Sequence, residues 1–187
     1  GPGQLQYPAA IAVWTPQDDP TNAQVVVADR DNHRLQFFRV SDGMYVRSVG
    51  EAGTGPGQLQ HPWAMSIHMP AGGRDEDALL VTIGHEDARI HVYGVVSGEY
   101  LRCLGGGRGQ GVDQLCFAVN GMTFHRPAGE AETETQVIVS DNGNHRVQVF
   151  NLYSGAHMYS VGGEDRGLCS GPCGMSMMCS DGCDDWD

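Results

Sequence analysis

Two histidines stand at matching places in this chain: His68 closes Met65-Ser66-Ile67-His68, and His125 closes Met122-Thr123-Phe124-His125. A neutral imidazole is a zinc ligand, so two of them on adjacent structural units could converge on one divalent ion. The same position holds Trp14 earlier in the chain and Met178 later, and no third ligand accompanies the pair. The plainer reading is a repeat position that tolerates a half-buried histidine. Four cysteines, Cys169, Cys173, Cys179 and Cys183, crowd the last 19 residues as C-x3-C-x5-C-x3-C. Tight zinc sites start from C-x2-C or C-x4-C knuckles, so free or disulfide-paired thiols fit this spacing better than a metal centre. No G-x-S-x-G, phosphate-cradling G-x-x-x-x-G-K-S/T or H-E-x-x-H is present. The chain is therefore expected to be non-catalytic and to carry no cofactor.

The strongest polar pattern recurs. Asp29-Arg30-Asp31-Asn32-His33-Arg34-Leu35-Gln36 matches Asp141-Asn142-Gly143-Asn144-His145-Arg146-Val147-Gln148, with a worn copy between them at Gly84-His85-Glu86-Asp87-Ala88-Arg89-Ile90-His91. Scaffold residues recur from unit to unit, whereas sites normally do not, so a structural job is expected. Asp29 and Asp141 would end a strand and accept N–H bonds across a turn. Asn32 and Asn144 would take the left-handed backbone, and Arg34 and Arg146 would pair with the aspartates.

Those residues must be held by repeated elements. Gly1-Pro2-Gly3-Gln4-Leu5-Gln6-Tyr7-Pro8 returns as Gly55-Pro56-Gly57-Gln58-Leu59-Gln60-His61-Pro62, and the arginines Arg34, Arg89 and Arg146 lie 55 and 57 residues apart. Each unit parses into four short apolar or β-branched runs bounded by Gly, Pro, Asn and Asp, and no window keeps a helical period. The expected innermost strands are Ala9–Trp14, Ala64–Met69, Asn120–His125 and Gly174–Cys179. Second strands are expected at Gln24–Ala28, Leu79–Ile83 and Gln136–Ser140, third strands at Leu35–Val40, Ile90–Val95 and Val147–Leu152, and fourth strands at Tyr45–Val49, Tyr100–Leu104 and Met158–Val161. Four antiparallel strands at fixed period describe a propeller blade, which buries both faces against its neighbours. The prediction is an all-β partial β-propeller of three four-stranded blades, at 1–50, 51–105 and 106–163, with the first strand of a fourth in a truncated, Cys-rich 164–187.

The pattern P-x-x-I/M-x-V/I, then V-V-V-A-D-x-x-N-H-R-L-Q-F-F, then a glycine turn and S-V-G, resembles the NHL repeat. The resemblance rests on Pro8, Ile11, Val13, Asp29, Asn32, His33, Arg34, Leu35 and Phe37 in the first unit, and on Asp141, Asn144, His145, Arg146, Val147 and Phe150 in the third. The second unit departs from it at Gly84, Asp87 and Ala88 but keeps Arg89, Ile90 and Val92. The resemblance implies a rigid disc for protein–protein recognition, often the substrate-recruiting end of a ubiquitin ligase. It also implies two alternatives. The lyase that completes peptide C-terminal amidation resembles such a propeller with a channel zinc held by histidines, and only His68 and His125 can be set against its ligands. Other members bind RNA through a basic face.

Charge separates these readings. The chain carries 11 basic and 23 acidic residues, a net charge of −12, which opposes long-range attraction to phosphate or anionic lipid. First-to-second connections gather Asp18, Asp19, Asp75, Glu76, Asp77, Glu130, Glu132 and Glu134 against Arg74 and Arg126, so one face is expected to be acidic. The opposite face gathers His33, Arg34, His85, His145, Arg146 and Arg166, with Arg30, Arg89 and Arg108 as a candidate binding surface, but interleaved carboxylates cancel most of that charge. A protein partner is expected, with neither RNA nor membrane. The chain starts without Met inside a repeat and stops early in a fourth unit, which predicts a piece of a larger ring and self-association of the open arc. The compartment is left unknown by the sequence, with the cytoplasm slightly favoured.

Overall fold

A computed structural model describes residues 1–116 and 121–163. The expected strand at Gly174–Cys179, the start of the one at Asn120, and Arg166, Cys169, Cys173, Cys179 and Cys183 lie outside the described residues. Within them the first sheet holds β1 (Pro8–Trp14), β2 (Gln24–Asp29), β3 (Arg34–Arg39) and β4 (Tyr45–Val49). The second holds β5 (Pro62–His68), β6 (Leu79–Gly84), β7 (Ile90–Gly94) and β8 (Tyr100–Leu104), and the third β9 (Met122–His125), β10 (Gln136–Asp141), β11 (Arg146–Asn151) and β12 (His157–Gly162). Each sheet is an antiparallel meander in chain order, and the three are separate sheets rather than one ladder. This is a β-propeller arc.

Pairing explains where strands stop. Asp29 is the register partner of both Pro8 and Arg34, and Asp141 of Arg146, so in blades 1 and 3 the second strand runs one residue further, and the third starts one residue earlier, than the apolar runs alone suggest. Proline opens β1 and β5, where its missing N–H costs no ladder bond. A bulge recurs in each blade where β4, β8 and β12 pass the third strand, between Phe37 and Phe38, Val92 and Tyr93, and Val149 and Phe150. A second bulge sits after the opening proline of β1 and β5, at Ala9 and Trp63. Bulges increase local twist and re-aim the extra side chain.

Period-2 alternation sends successive side chains to opposite faces, and two cores result. Between blades 1 and 2 pack Val26, Leu35, Phe37, Val49, Leu80, Tyr93 and Val95. Between blades 2 and 3 pack Val81, Ile83, Ile90, Val92, Leu104, Val137, Phe150 and Leu152. Leu59 and Leu115 are fully buried in these same cores although they lie on the straps between blades. Backbone bridges Ala52–Leu59 and Arg108–Leu115 hold each strap in place.

Candidate functional site

The recurring turn is a closed polar network. Asp29, fully buried, accepts from Gln6 N at 2.7 Å, Arg34 Nε at 2.8 Å, Asn32 Nδ2 at 2.9 Å and Gln36 Nε2 at 2.8 Å. The Arg34 guanidinium continues to the carbonyls of Gly1 and Gln4 at 2.9 and 3.0 Å. Blade 3 repeats this: Asp141 accepts from Cys116 N, Arg146 Nε, Asn144 Nδ2 and Gln148 Nε2, each at 2.8 Å. Burial alone would raise the Asp29 pKa, but its donors outweigh it and hold the carboxyl below the usual aspartate range. The Gln6 N and Cys116 N bonds and the arginine-to-carbonyl bonds tie each turn to its own strap, so the group is a staple.

One role differs from the sequence reading. The left-handed residue is His33, at φ 55°, and His145, at φ 54°, not the preceding asparagine. Asn32 and Asn144 sit in short 3-10 turns, Arg30–Asn32 and Asn142–Asn144, because their amides must reach back to the aspartate. Ala88 takes the left-handed position in blade 2 at φ 51°. Gln36 and Gln148 complete the network, and their recurrence at a fixed offset from the aspartate is the sequence signal that marks them. The strap octad also has a third copy, Gly111-Val112-Asp113-Gln114-Leu115. In all three copies the glutamine side chain accepts from the glycine N at 2.9 Å.

Blade 2 replaces its staple as a set. Gly84 stands where Asp29 does, and a Cβ there would lie 2.1 Å from Asp87 Oδ1. The Asp87 carboxylate thus fills the space vacated at 84. Its partner is His91 in the place of Gln36, donating from Nε2 at 2.7 Å. Arg89 keeps its position beside Gly107, but among the described residues no carboxylate lies within ion-pair distance of it.

His68 is engaged by the neighbouring blade. Its Nε2 donates to Glu132 Oε1 of blade 3 at 2.6 Å, and Glu132 also accepts from Thr135 Oγ1 at 3.0 Å, Tyr153 OH at 3.2 Å and Arg126 Nη1 at 3.3 Å. Burial opposes ionisation of Glu132, but the bonds from His68, Thr135 and Ala71 N hold its pKa down, and burial beside that charge pushes Tyr153 up to about 12. His125 is exposed on β9. Among the described residues no three His, Cys, Asp or Glu side chains are arranged to hold a metal. His68 thus makes an interblade hydrogen bond, and a matching one joins blades 1 and 2, where Gln17 N donates to the Asp75 carboxylate at 3.0 Å. A cleft of about 400 Å³ between those blades is lined by Arg47, Tyr93 and Tyr100. Arg47 donates to the Val95 carbonyl and stacks on Phe37, and Tyr93 OH donates to Gly57, so the cleft's donors are engaged internally.

The strap-and-turn face carries a different group. Arg30 stands 4.9 Å from the Tyr7 ring centroid and 5.2 Å from that of Trp63, whose indole lies 5.4 Å from His85. His33 and His61 rings are 4.2 Å apart, His33 Nδ1 accepts from His61 N, and His61 lies 2.9 Å from Glu86. Burial, helped by the nearby Arg30 and Arg108, lowers the His85 pKa and favours the neutral ring. The sequence reading singled out Arg30 and Arg108 but missed Tyr7 and Trp63, because only the β5 bulge and the interblade packing bring them there.

Solved structures with this architecture support the fold class. The RRP9 WD40-repeat structure is 18% identical with TM-score 0.53, covering 87% of this chain and 45% of that one. BBS1N, solved in complex with ARL6DN, is 13% identical with TM-score 0.57, covering 86% and 45%. Hydrazine synthase from Kuenenia stuttgartiensis is 13% identical with TM-score 0.55, covering 84% and 36%. The chain spans less than half the length of each. No family model matches the sequence, and no curated protein matches it. The class is a β-propeller repeat protein, and these likenesses extend to fold alone.

Proposed function

We propose that the chain is a non-catalytic recognition arc of an NHL-type propeller that engages a protein partner through the loops at its strand ends. The parent would be a larger multidomain protein, such as one whose propeller recruits substrates to a ubiquitin ligase. The observation that supports this most is the division of labour within each blade. The Asp–Asn–Arg–Gln staples of blades 1 and 3 coincide residue for residue, while the loop residues around them differ from blade to blade. A rigid frame with variable loops is the arrangement recognition proteins use. BBS1N was itself solved with a protein partner. The lyase reading is weaker because the Glu132 contact already engages His68.

The test is hydrogen exchange on the purified chain with and without a partner isolated by affinity capture. Protection should concentrate in the straps and strand-end loops. Protection confined to strand interiors would sink the reading, as would stoichiometric zinc that disappears in the His68→Ala, His125→Ala double variant.

A further inference from the structure

Subtracting the repeat isolates a pair of side chains that only blade 2 carries. On the two outer strands of blade 1 Ser48 is the register partner of Gln36, and in blade 3 Ser160 is that of Gln148; in blade 2 the same pair is Cys103 and His91. Both members change together, from an amide opposite a hydroxyl to an imidazole opposite a thiol. The staple accounts for one end of that imidazole only. A carboxylate can only accept, so the 2.7 Å bond to Asp87 puts the ring proton on Nε2 and leaves a lone pair on Nδ1. His91 is 4% exposed, and its Nδ1 is buried without a hydrogen-bond partner. Gln148 Oε1 is open in the same way, but an amide oxygen does not take up a thiol proton, whereas an imidazole does.

We propose that Cys103 is a modification site, at which His91, held by Asp87, takes the thiol proton and the thiolate forms a mixed disulfide with a small disulfide molecule. His91 Nδ1 accepts the proton from Cys103 Sγ, and the thiolate attacks one sulfur of the disulfide. A new bond joins that sulfur to Cys103 Sγ as the old one breaks. The other half leaves as a thiolate and takes the proton back from the imidazolium. The disulfide that is consumed is the oxidant, so the exchange balances without a further reagent.

The surroundings fit that chemistry. Directly opposed strand residues hold their Cβ atoms about 5 Å apart, so rotation about χ1 brings Sγ within reach of the ring. Burial, and then its contact with Cys103, raises the Tyr100 phenol to about 12, so the hydroxyl keeps its proton and stands as a donor beside the sulfur. Arg89, the staple arginine without an ion pair among the described residues, lies close enough to act on that phenol, which sets a cation where negative charge develops. Cys103 is exposed on β8 although both neighbouring blades are in place, so its access owes nothing to the open ends of the arc. Cys116, by contrast, is buried.

The experiment is a time course of the full chain with hydroxyethyl disulfide, an uncharged probe, at neutral pH, with quenching in acid, blocking of the remaining thiols by N-ethylmaleimide and digestion with trypsin. Cleavage after Arg102 and Arg108 releases Cys103 in a peptide of its own, apart from the other cysteines. Cys103 should form the adduct about tenfold faster in the folded chain than in denaturing urea, where its thiol has no neighbours. His91→Gln should lose about that factor. The set Gly84→Asp, Asp87→Asn and His91→Gln, which gives blade 2 the staple of blade 1, should lose it too while keeping the parent's circular dichroism and melting. That set carries the comparison if His91→Gln alone unfolds. A folded parent that reacts no faster at Cys103 than the unfolded chain would overturn the proposal without any variant. So would a folded variant lacking the imidazole that reacts as fast as the parent.

Discussion

A buried carboxylate is tolerable only when its acceptor sites are filled, and this chain fills them in two ways. Blades 1 and 3 place the aspartate at the end of the second strand; blade 2 moves it three residues along and exchanges the glutamine for His91. The two solutions exclude each other, because a side chain at Gly84 would collide with Asp87. Gly84→Asp alone should therefore cost more than about 2 kcal/mol, from overpacking and like charge. Adding Asp87→Asn and His91→Gln should restore stability to within about 1 kcal/mol, since the set then matches the other blades. Urea unfolding of the single and triple variants measures this coupling, and additive losses would contradict it. Acid gives a second readout. The Asp29 pKa is lowered in the folded state from the ordinary 3.8, so its stabilisation is present above that value and is lost as pH falls through the lower folded one. Asp29→Asn should lower stability at neutral pH by about 2–4 kcal/mol and flatten the loss of stability below about pH 4. A loss below pH 4 as steep in the variant as in the parent would exclude Asp29 as a source of it.

At the scale of elements, the turn between second and third strands depends on one left-handed residue, His33 and His145 after a 3-10 turn in blades 1 and 3 and Ala88 in blade 2. His145→Val should destabilise by about 1–2 kcal/mol, because a β-branched side chain crowds the backbone at φ 54°. His145→Gly should stay within about 1 kcal/mol of the parent, since glycine accepts that conformation at the expense of a more flexible unfolded chain. Equal losses for Val and Gly in thermal melts would show that the imidazole, not the backbone, matters. These turns also show what a linear reading can reach. Strand number and order were legible because alternation and glycine punctuation repeat at a fixed period. The exchange of roles between Asn32 and His33 was not, because both residue types enter left-handed backbone and only the reach of the amide to Asp29 separates them. The pairing of His68 with Glu132 was hidden for a different reason: 64 residues separate them, and only the stacking of blade 3 on blade 2 brings them together.

For the molecule as a whole, residue equivalence identifies what the first blade lacks. Leu59, Met65, Ile67 and Val95 of blade 2 pack into the core shared with blade 1. Their counterparts on blade 1, Leu5, Ile11, Val13 and Val40, are exposed, Ile11 by 69% and Val13 by 60%. The face that should meet a preceding blade is therefore apolar and open, and burying each such side chain is worth about 1.5–3 kcal/mol. Blade 3 offers a surface of the complementary kind: Val147, Tyr159 and Val161 are exposed at the positions where Leu35, Arg47 and Val49 of blade 1 meet blade 2. Head-to-tail contact between copies would set the Tyr159 position of one copy against the Val40 position of the next, as Arg47 meets Val95 within the chain. The chain in isolation should accordingly associate as its concentration rises from about 1 to 100 µM. Ile11→Asp with Val13→Asp should shift it toward monomer without loss of β circular dichroism, because both side chains point away from the blade 1–blade 2 core. Sedimentation velocity of parent and variant measures this directly. A parent that stays monomeric across that range, or a variant that associates as strongly as the parent, would show that this face is not the contact surface its counterparts define.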